Sequence, residues 1–244
     1  MILKDISFST PQENIIFDEV LFRLAEQGRI GETLRFWESL STFIVLGRIS
    51  NPQEDLYLEK VVEDGIMVLR RQSGGGTVVQ GKGCLNFSLV LAKDRDPVLY
   101  DLRKSYVYIL EKIIMALQCL GCESVFRPIS DLALVQGERK FSGNAQRRGR
   151  KFILHHGTIL YNFDIKLIEK YLRLPKDVPE YRRERPHSEF VVNLNLPAVQ
   201  IKEAMQKMYK IQGQEDRLTE QEKDLMRGAL KTKETIVSLT EFLA

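Results

Sequence analysis

Cysteine, histidine and tryptophan are scarce in this chain of 244 residues, which has three cysteines, three histidines and one tryptophan. Three cysteines cannot form a disulfide framework, and a low, odd count is typical of a reducing compartment. Cys119 and Cys122 form a C-x-x-C, but neither a second such pair nor a histidine pair accompanies it, so a zinc site lacks ligands. We interpret these two as ordinary core cysteines, with redox or metal chemistry as the alternative.

Long apolar runs and a strong excess of one charge are missing as well. No apolar run approaches the roughly 18 to 20 residues that a membrane helix needs, and residues 1–5 lack the basic and apolar pattern of a secretory signal. The net charge is only +3 with 28% charged residues, which gives no support for bulk electrostatic binding of nucleic acid. We therefore expect a cytoplasmic protein that binds neither nucleic acid nor membranes.

The hydrophobic content of 43% is enough for one sizeable core. Apolar residues have helical spacing in residues 14–27 and 97–120, whereas residues 42–46, 85–91 and 152–160 have the composition of strands. Helical and extended segments alternate without an internal repeat. The pattern predicts an α+β fold, with a mixed, largely antiparallel sheet flanked by helices.

A run of three glycines, Gly74, Gly75 and Gly76, follows Arg71 and Ser73 between two strand-like segments. Consecutive glycines cost backbone entropy, but they are useful where a ligand must lie against backbone N–H groups. Arg71 could pair with a carboxylate or a phosphate through its forked guanidinium. A flexible hairpin turn would explain the same pattern. Because no Gly-Lys-Ser/Thr follows, this is not a nucleotide P-loop.

Lys140 lies in an alternating segment, in which Arg139 and Phe141 share one face and Lys140 takes the other. An inward-pointing lysine beside the pair Ser142 and Gly143 could hold a carboxylate, a carbonyl or an α-phosphate while charge moves. A solvated strand lysine is the alternative.

Two histidines and one aspartate complete the candidates. His155 and His156 are adjacent, so in a strand they point to opposite faces and cannot easily share a metal. A Ser-His-Asp triad has no nucleophile-elbow context here, and we expect packing or hydrogen-bonding roles. Asp131 leads into a predicted strand whose end could meet the glycines, where a carboxylate suits Mg²⁺ bound with phosphate. A turn or cap aspartate is its alternative.

The order and spacing of these clusters resemble the lipoate–protein ligase family, which shares its catalytic fold with biotin–protein ligases and octanoyltransferases. The resemblance covers residues 14–194. The matching positions are Phe36-Trp37, Gly47-Arg48, Asn51, the motif at residues 70–76, Asn86 with Ser88, Asp131, Lys140-x-Ser-Gly-x-Ala-Gln and His156-Gly157-Thr158. On this basis residues 1–194 are expected to form a lipoate ligase-type catalytic domain, and residues 195–244 a short helical C-terminal extension.

The resemblance implies a reaction in two steps. Lipoate or octanoate attacks ATP, used with Mg²⁺, to give an acyl-adenylate, and the acyl group then moves to a lysine of a lipoyl carrier protein; no bound redox cofactor is implied. Lys140 is the expected catalytic residue, in contact with the acyl carbonyl and the α-phosphate, and Asp131 is expected near Mg²⁺ or the adenylate. The residues expected to bind substrate or nucleotide are Arg71, Ser73, Gly74, Gly75, Gly76, Thr77, Val78, Asn86, Asp131, Ser142, Gly143, Ala145, His156, Gly157 and Thr158. Val78, Leu85 and Phe87 are the expected lining of an apolar trench for the acyl tail.

The chain also departs from the pattern of the family. Gln80 stands where ligases commonly carry a histidine, and Gly81 follows it instead of an acid. Residues 126–130 contain no cysteine, whereas cysteine-dependent octanoyltransferases place their nucleophile there, so the ATP-dependent ligase is favoured. Cys84 is the thiol closest to the inferred site.

Two alternatives stay open at this point. One is an ATP-independent octanoyl or lipoyl transferase working between carrier proteins. The other is a partner subunit that needs a separate accessory protein, because about 50 residues after Asn193 are too few for the accessory domain of two-domain ligases. The basic residues 181–185 could dock an acidic carrier, close over the site or simply be solvated. The sequence leaves open the carrier, the choice between lipoate and octanoate, and the oligomeric state.

Overall fold

The computed structural model describes residues 1–175, 178–232, 235–239 and 242. The strands are β1 (Ile2–Asp5), β2 (Thr33–Trp37), β3 (Phe43–Leu46), β4 (Met67–Arg70), β5 (Val78–Gln80), β6 (Cys84–Ala92), β7 (Ser124–Arg127), β8 (Asp131–Leu134), β9 (Lys140–Arg148), β10 (Phe152–Leu160) and β11 (Gly213–Gln214). The α-helices are α1 (Pro11–Glu26), α2 (Pro52–Asp55), α3 (Leu58–Glu63), α4 (Leu102–Gln118), α5 (Lys166–Tyr171), α6 (His187–Phe190), α7 (Ala198–Met208) and α8 (Glu220–Thr232).

Within the described residues the strands form two sheets. The larger sheet has eight strands in the order β11-β1-β2-β6-β10-β9-β8-β7, and the smaller one has three in the order β4-β3-β5. In the part of the larger sheet that runs β2-β6-β10-β9-β8-β7, each pair of adjacent strands is antiparallel. Strand β1 pairs parallel with β2 and with β11. The predicted fold class, a mixed and largely antiparallel sheet flanked by helices, is confirmed.

Strands β6 and β10 run through the middle of the larger sheet, and alternation gives each of them two different faces. On one face, residues such as Phe87, Leu89 and Ile153 pack with apolar side chains of α4 and α7 in the main core. The other face carries polar residues, including His156 and Thr158, and lies against the smaller sheet and α1. Sequence alternation in these two strands therefore separates the core from the polar face of the sheet.

Helix α1 begins at a capping box in which the side chains of Thr10 and Glu13 each accept from the other's backbone N–H, and Pro11 stands in its first turn. These features satisfy N–H groups that a helix start otherwise leaves unpaired. The helix buries Phe17 and Leu21 against β6 and β10, so it covers one end of the polar sheet face.

The C-terminal helices pack on the same body. Helix α7 lies on α4 and α8 lies on α1. Glu222 of α8 is fully buried and its carboxylate is 2.7 Å from the ammonium of the buried Lys4 in β1. Between α7 and α8, the short strand β11 pairs with β1. Of the expected C-terminal extension, residues 233–234, 240–241, 243 and 244 lie outside the described residues.

Among the described residues, no helix combines the length and the apolar character that crossing a membrane requires.

Candidate functional site

The glycine loop, residues 73–76, is held in place by Arg71. The Arg71 guanidinium donates from Nη2 to the carbonyl oxygens of Gly74 and Gly76, both at 2.7 Å, and from Nε to the Ser73 hydroxyl at 3.1 Å. Burial lowers the pKa of Arg71 to about 10, so the guanidinium stays charged near neutral pH. The fork that we expected to bind a ligand anion is thus directed at the loop's own carbonyl groups.

The loop rests directly on β9 and on residue 47. Gly75 has φ +83°, and a Cβ atom added there would lie 2.9 Å from Arg71 Nη2 and 3.4 Å from the Ala145 Cβ. A Cβ on Gly47 would lie 1.9 Å from the Gly75 carbonyl oxygen. A positive φ and such short approaches favour glycine. Gly75 therefore lies close to β9 and to residue 47, whereas a Cβ on Gly74 or Gly76 would meet no described heavy atom within 4 Å. The bonds from Arg71, together with the position of Gly75, argue against the flexible-turn alternative.

Ser73 connects the loop to β10 through His156, with 2.6 Å between Oγ and Nε2. Because Ser73 Oγ accepts from Arg71 Nε, its hydroxyl proton is free to be donated to the imidazole. Burial and the nearby Arg71 lower the pKa of His156 to about 3, so the ring is a neutral acceptor and a weak base. This geometry fits a hydrogen-bonding role, as expected from the sequence, and does not favour a serine nucleophile.

Gln80, Asn86 and Thr158 form a closed hydrogen-bonded triangle. Gln80 Nε2 donates to Thr158 Oγ1 at 2.6 Å, Thr158 Oγ1 donates to Asn86 Oδ1 at 2.6 Å, and Asn86 Nδ2 donates to Gln80 Oε1 at 3.1 Å. Each side chain donates once and accepts once, so the buried polar atoms are paired. Gln80, which departs from the family pattern, thereby joins β5 of the smaller sheet to β6 and β10.

Lys140, Asp131 and Tyr181 form a cluster. Asp131 is the first residue of β8 and Lys140 is the first residue of β9. The Lys140 ammonium is 2.7 Å from Asp131 Oδ1, and the Tyr181 hydroxyl donates to Asp131 Oδ2 at 2.7 Å. Burial, together with the Asp131 charge, raises the pKa of Tyr181 well above its usual range, so the phenol keeps its proton and donates. A Cβ on Gly143 would lie 3.2 Å from Lys140 Nζ, so this glycine makes room for the ammonium.

Asp131 has both carboxylate oxygens engaged, one by Lys140 and one by Tyr181. Among the residues that the structure describes, no group of three or more histidine, cysteine, aspartate or glutamate side chains is placed to hold a metal ion. Magnesium usually binds through one or two carboxylates together with substrate phosphates. A metal at Asp131 would therefore take most of its ligands from a nucleotide and displace one of the two present partners.

The structure brings most of the predicted residues to one place. Facing the same side of the larger sheet, or lying on it, are Arg71, Ser73, Gly74, Gly75, Gly76, Asn86, Asp131, Lys140, Gly143, Ala145, His156 and Thr158. Tyr181 and Gln80 join them, and both were missed as site residues. Tyr181 lies 50 positions from Asp131 at the start of the arginine-rich residues 181–185. Closing over the site was one of the alternatives for these residues, and the bond to Asp131 fits it, but the sequence did not single out Tyr181.

Other predicted residues lie elsewhere. Ser142 and Gly157 alternate with the site-facing residues and point into the main core: Ser142 is 1% exposed, and a Cβ on Gly157 would lie 2.8 Å from the Phe87 ring. Leu85 and Phe87 belong to that core as well, so they do not line a trench on the site face. Thr77 donates a hydrogen bond to Asp55. Val78, in contrast, lies on the site side as expected: it packs with Trp37, which pairs with Asn86, in a cluster that Ile15 of the cavity also joins.

A cavity of about 380 Å³ lies next to the glycine loop, between α1, β10 and α8. We call it the α1–α8 cavity. Its apolar lining comes from Ile15 and Ile16 of α1, Leu154 of β10, and Leu225 and Ala229 of α8.

The charged residues around the α1–α8 cavity already have partners. The Asp18 carboxylate forms an ion pair with the buried Arg35, with 2.6 Å between Oδ1 and Nη1. Its other oxygen, Oδ2, accepts a hydrogen bond from the Ser88 hydroxyl at 2.6 Å. The other pairs are Glu19 with Arg23 and Arg147, Arg70 with the carbonyl oxygens of residues 47, 48 and 50, Arg71 with the glycine loop, and Asp224 with Arg227. The cavity therefore combines an apolar wall with polar and charged groups that are already paired, and its apolar wall suits an uncharged tail.

The three cysteines lie in different surroundings. Cys84 is fully buried, and burial raises the pKa of its thiol well above the usual range, which disfavours the thiolate that a nucleophile needs. Cys119 is exposed and Cys122 is half-buried. The interpretation of Cys119 as a core residue is therefore wrong, because it follows the last turn of α4 at the surface.

Replacing Arg71 with lysine is expected to lower the free energy of unfolding by about 2 kcal/mol, since an ammonium cannot reproduce the bonds from the buried guanidinium to Ser73, Gly74 and Gly76, and hydrogen bonds from charged donors contribute about 1.5 to 3 kcal/mol. Urea denaturation would measure the change. Arg48→Lys is the matched control, because Arg48 is exposed, and its replacement should change stability by less than about 0.5 kcal/mol. Equal stability of Arg71→Lys and wild type would contradict the role given to the guanidinium.

Comparison with known proteins shows the family of this chain. The family described as "Lipoyl protein ligase A/B catalytic domain" matches residues 10–211. A probable lipoate-protein ligase A from Mycoplasma pneumoniae is 30% identical over 166 residues, which are 68% of this chain and 47% of that protein. This chain thus spans about half the length of that curated relative.

Two solved structures share the fold. One comes from a study of an archaeal lipoylation system, a bipartite lipoate protein ligase and its E2 lipoyl domain from Thermoplasma acidophilum; it has a TM-score of 0.81 and 23% identity, over 96% of this chain and 92% of that chain. The other, a lipoate-protein ligase A bound with ATP, has a TM-score of 0.80 and 23% identity, over 96% of this chain and 95% of that chain.

Proposed function

The chain belongs to the lipoyl protein ligase A/B catalytic-domain family, and from this premise we propose that it uses ATP to activate lipoate or octanoate and transfers the acyl group to a lysine of a lipoyl carrier protein. The observation that carries the proposal is one sheet face on which a cavity with an apolar wall, a glycine loop and a lysine lie in a row.

The row follows strand β10. Leu154 lines the α1–α8 cavity, His156 lies under the glycine loop, and Thr158 pairs with Gly143 beside Lys140. Leu154 and Thr158 are four positions apart in this register, which is about 13 Å along a strand. An extended acid with its carboxylate at Lys140 would pass beneath the loop and place its tail in the cavity. The loop lies over Ala145 between the two ends, where even a Cβ on Gly75 would come within 3.4 Å of the Ala145 Cβ. We therefore expect the loop to shift when the acid binds, at the cost of part of its bonding to Arg71.

Lys140 is the group suited to the chemistry. Attack of a carboxylate on an α-phosphate concentrates negative charge between two anions, and a fixed cation there lowers the barrier. Asp131 keeps the ammonium in place, and Tyr181 keeps Asp131 in place. Mg²⁺ supplied with ATP would neutralise the phosphate charge, and Asp131 is the carboxylate of this cluster that could reach it.

The thiols do not support a thioester route. Cys84 is buried with a raised pKa, and the exposed Cys119 follows α4, which packs on the opposite side of the sheet. A carrier-to-carrier transferase would need either a thiolate at the reacting carbonyl or direct transfer without an enzyme-bound acyl group. ATP-dependent activation needs neither, and we favour it.

The catalytic site is proposed to lie within residues 1–194, and residues 195–244 to support it through α7 and α8. The T. acidophilum ligase of similar fold is bipartite, and this chain spans about half of its Mycoplasma relative. We therefore propose that a separate accessory protein or domain assists acyl transfer to the carrier, while adenylation itself takes place in this chain.

The test follows both half-reactions. The pure protein is incubated with Mg-ATP and either lipoate or octanoate, and pyrophosphate release is measured; a lipoyl carrier domain is then added and its mass is followed. Pyrophosphate release that depends on the acid, and a mass gain of one acyl group, are expected. Acyl gain from an octanoyl-carrier donor without nucleotide would overturn ATP-dependent activation. Failure of both reactions with several carriers and added accessory protein would overturn the whole assignment.

A further inference from the structure

Three polar side chains from three strands, Gln80 of β5, Asn86 of β6 and Thr158 of β10, form a closed hydrogen-bonded triangle. We propose that this triangle makes Thr158 a specificity-determining residue: its hydroxyl meets the nucleotide only as a hydrogen-bond acceptor, and it selects a nucleotide whose ribose hydroxyl donates to it. The inference rests on the proposed function, because it takes ATP as the co-substrate.

The triangle uses the one proton of the Thr158 hydroxyl. A threonine hydroxyl donates once and can accept twice, and here Oγ1 donates to Asn86 Oδ1 and accepts from Gln80 Nε2, both at 2.6 Å. Exchanging the oxygen and the nitrogen of one amide would set two donors or two acceptors against each other. Exchanging them in both amides would reverse the ring, and Thr158 would still donate once and accept once inside it. In either direction, all that Thr158 has left for a ligand is one acceptor lone pair.

Thr158 is also the member of the triangle that a ligand can reach. Gln80 and Asn86 are each 4% exposed, whereas Thr158 is half-buried. A further bond from Asn86 Nδ2 to the Cys84 carbonyl oxygen, at 3.3 Å, ties the inner side of the triangle to β6. Two buried amides therefore hold the orientation of a hydroxyl at the edge of the site.

This hydroxyl lies close to the Lys140 ammonium. Thr158 is paired with Gly143 in the register of β9 and β10, and a Cβ on Gly143 would lie 3.2 Å from Lys140 Nζ. Paired residues of antiparallel strands carry their Cβ atoms on the same face, about 4.5 to 5.5 Å apart. Lys140 Nζ and Thr158 Cβ are therefore within roughly 9 Å of each other, so one ligand can contact both residues.

The ligand group at Thr158 has to be a hydrogen-bond donor. Carboxylate and phosphate oxygens are acceptors at neutral pH, so neither the acid nor the triphosphate gains a bond from this hydroxyl. In the proposed binding mode the acyl tail leaves Lys140 past His156 towards Leu154, away from Thr158. The ribose is joined to the α-phosphate through its 5′ oxygen, and its 2′ and 3′ hydroxyls are the nucleotide donors closest to that phosphate. A ribose hydroxyl is therefore the group that fits Thr158.

The test compares ATP with 2′-deoxy-ATP and 3′-deoxy-ATP. Binding of each nucleotide to the full chain is measured by isothermal titration calorimetry, and adenylation by lipoate-dependent pyrophosphate release. The wild type should prefer ATP over one of the two deoxynucleotides by about five- to tenfold, both in binding and in kcat/KM, which is the scale of one neutral hydrogen bond. Thr158→Val keeps the shape of the side chain without the hydroxyl, and it should bind ATP and that deoxynucleotide within about twofold of each other.

Three further variants define the role of the hydroxyl. Thr158→Ser keeps it and should keep the preference for ATP, whereas Gln80→Met opens the triangle, lets the hydroxyl turn and should lower the preference at least about twofold. Thr33→Val is the matched control, because Thr33 is 3% exposed in β2 and its hydroxyl has no hydrogen-bond partner among the described residues; it should keep the wild-type preference. The preference is a ratio measured on one protein, so a partial loss of folded protein cancels from it, and thermal melts check each variant.

The outcomes separate this inference from the proposed function. Equal use of all three nucleotides by the wild type, or an unchanged preference in folded Thr158→Val or Gln80→Met, would overturn the inference and leave adenylation standing. If the wild type bound none of the nucleotides and released no pyrophosphate, the proposed function would fail, and the inference with it.

Discussion

Replacing Lys140 with alanine is expected to slow adenylation by about 10²- to 10³-fold, the usual effect of removing one fixed group that stabilises transition-state charge. The effect should fall mainly on kcat, because the ammonium matters most where negative charge develops. Folding should be affected little, since the Lys140 side chain is 30% exposed and Asp131 keeps its bond to Tyr181. Steady-state pyrophosphate release over a range of lipoate and ATP concentrations measures kcat and KM separately.

Lys82→Ala is the matched control for this variant, because Lys82 is exposed in the turn before β6, and its activity should equal that of wild type. Lys140→Arg keeps the charge, but Gly143 leaves little room at Nζ, where a Cβ would already be 3.2 Å away; we expect activity between those of wild type and alanine. Retention of the wild-type kcat in Lys140→Ala would rule out the catalytic role given to this lysine.

The fold was predictable where apolar periodicity is strong. The helix at residues 14–27 corresponds to α1 (Pro11–Glu26), and the strand at residues 152–160 was placed correctly as β10. Strand β9 was expected only at residues 139–141, but it continues to Arg148. Its second half is the polar run Gln146-Arg147-Arg148, which lacks the apolar alternation that marks a strand. Backbone pairing of residues 142–148 with β10 stabilises this part of the strand instead.

The site was predictable as a set of short motifs but not as a surface. Motifs name consecutive residues, whereas consecutive residues in a strand point to opposite sides. Gly143 and His156 therefore face the site, while Ser142 and Gly157 from the same motifs face the core.

Contacts between distant segments had no sequence signal. The bond from Tyr181 to Asp131 joins residues 50 positions apart, and that from Gln80 to Thr158 joins residues 78 apart. Helix α8 reaches the cavity only because α1 offers it an apolar face. Such contacts depend on the tertiary fold, so the residue types of Tyr181 and Gln80 alone could not show which side chains they bind.

Acid is expected to destabilise the fold through His155, which lies on the core side of β10 and is fully buried. Its Nδ1 is 3.1 Å from Gln146 Nε2, and the ring packs against Phe87 and Tyr106. Burial, with a smaller effect of His156, lowers the pKa of His155 to about 3 from 6.5. Because the amide donates to Nδ1, the neutral ring carries its proton on Nε2, and protonating Nδ1 would break this bond.

The direction of this pH effect follows from the difference in proton binding between the folded and the unfolded chain. Below about pH 6.5 the unfolded chain binds a proton on this histidine that the folded chain does not bind until the pH nears 3, so stability falls as pH falls through that window. Above pH 6.5, neutral His155 makes its full contribution to the free energy of unfolding. Each pH unit below it costs about 1.4 kcal/mol, which makes the loss from His155 about 2 to 3 kcal/mol at pH 4.5.

His155→Phe should remove this dependence. Its free energy of unfolding at pH 7 should be lower than that of wild type by about 1 to 2 kcal/mol, because Gln146 loses a buried partner. Between pH 6 and 4.5, however, His155→Phe should take up about one proton fewer on unfolding than wild type. The slope of its free energy of unfolding against pH should therefore be smaller by about 1.4 kcal/mol per pH unit. Urea denaturation at several pH values measures the slope directly. Tyr106→Phe, which alters the same packing without a group that titrates in this range, should retain the wild-type slope; an equal slope in His155→Phe would mean that the acid sensitivity arises elsewhere.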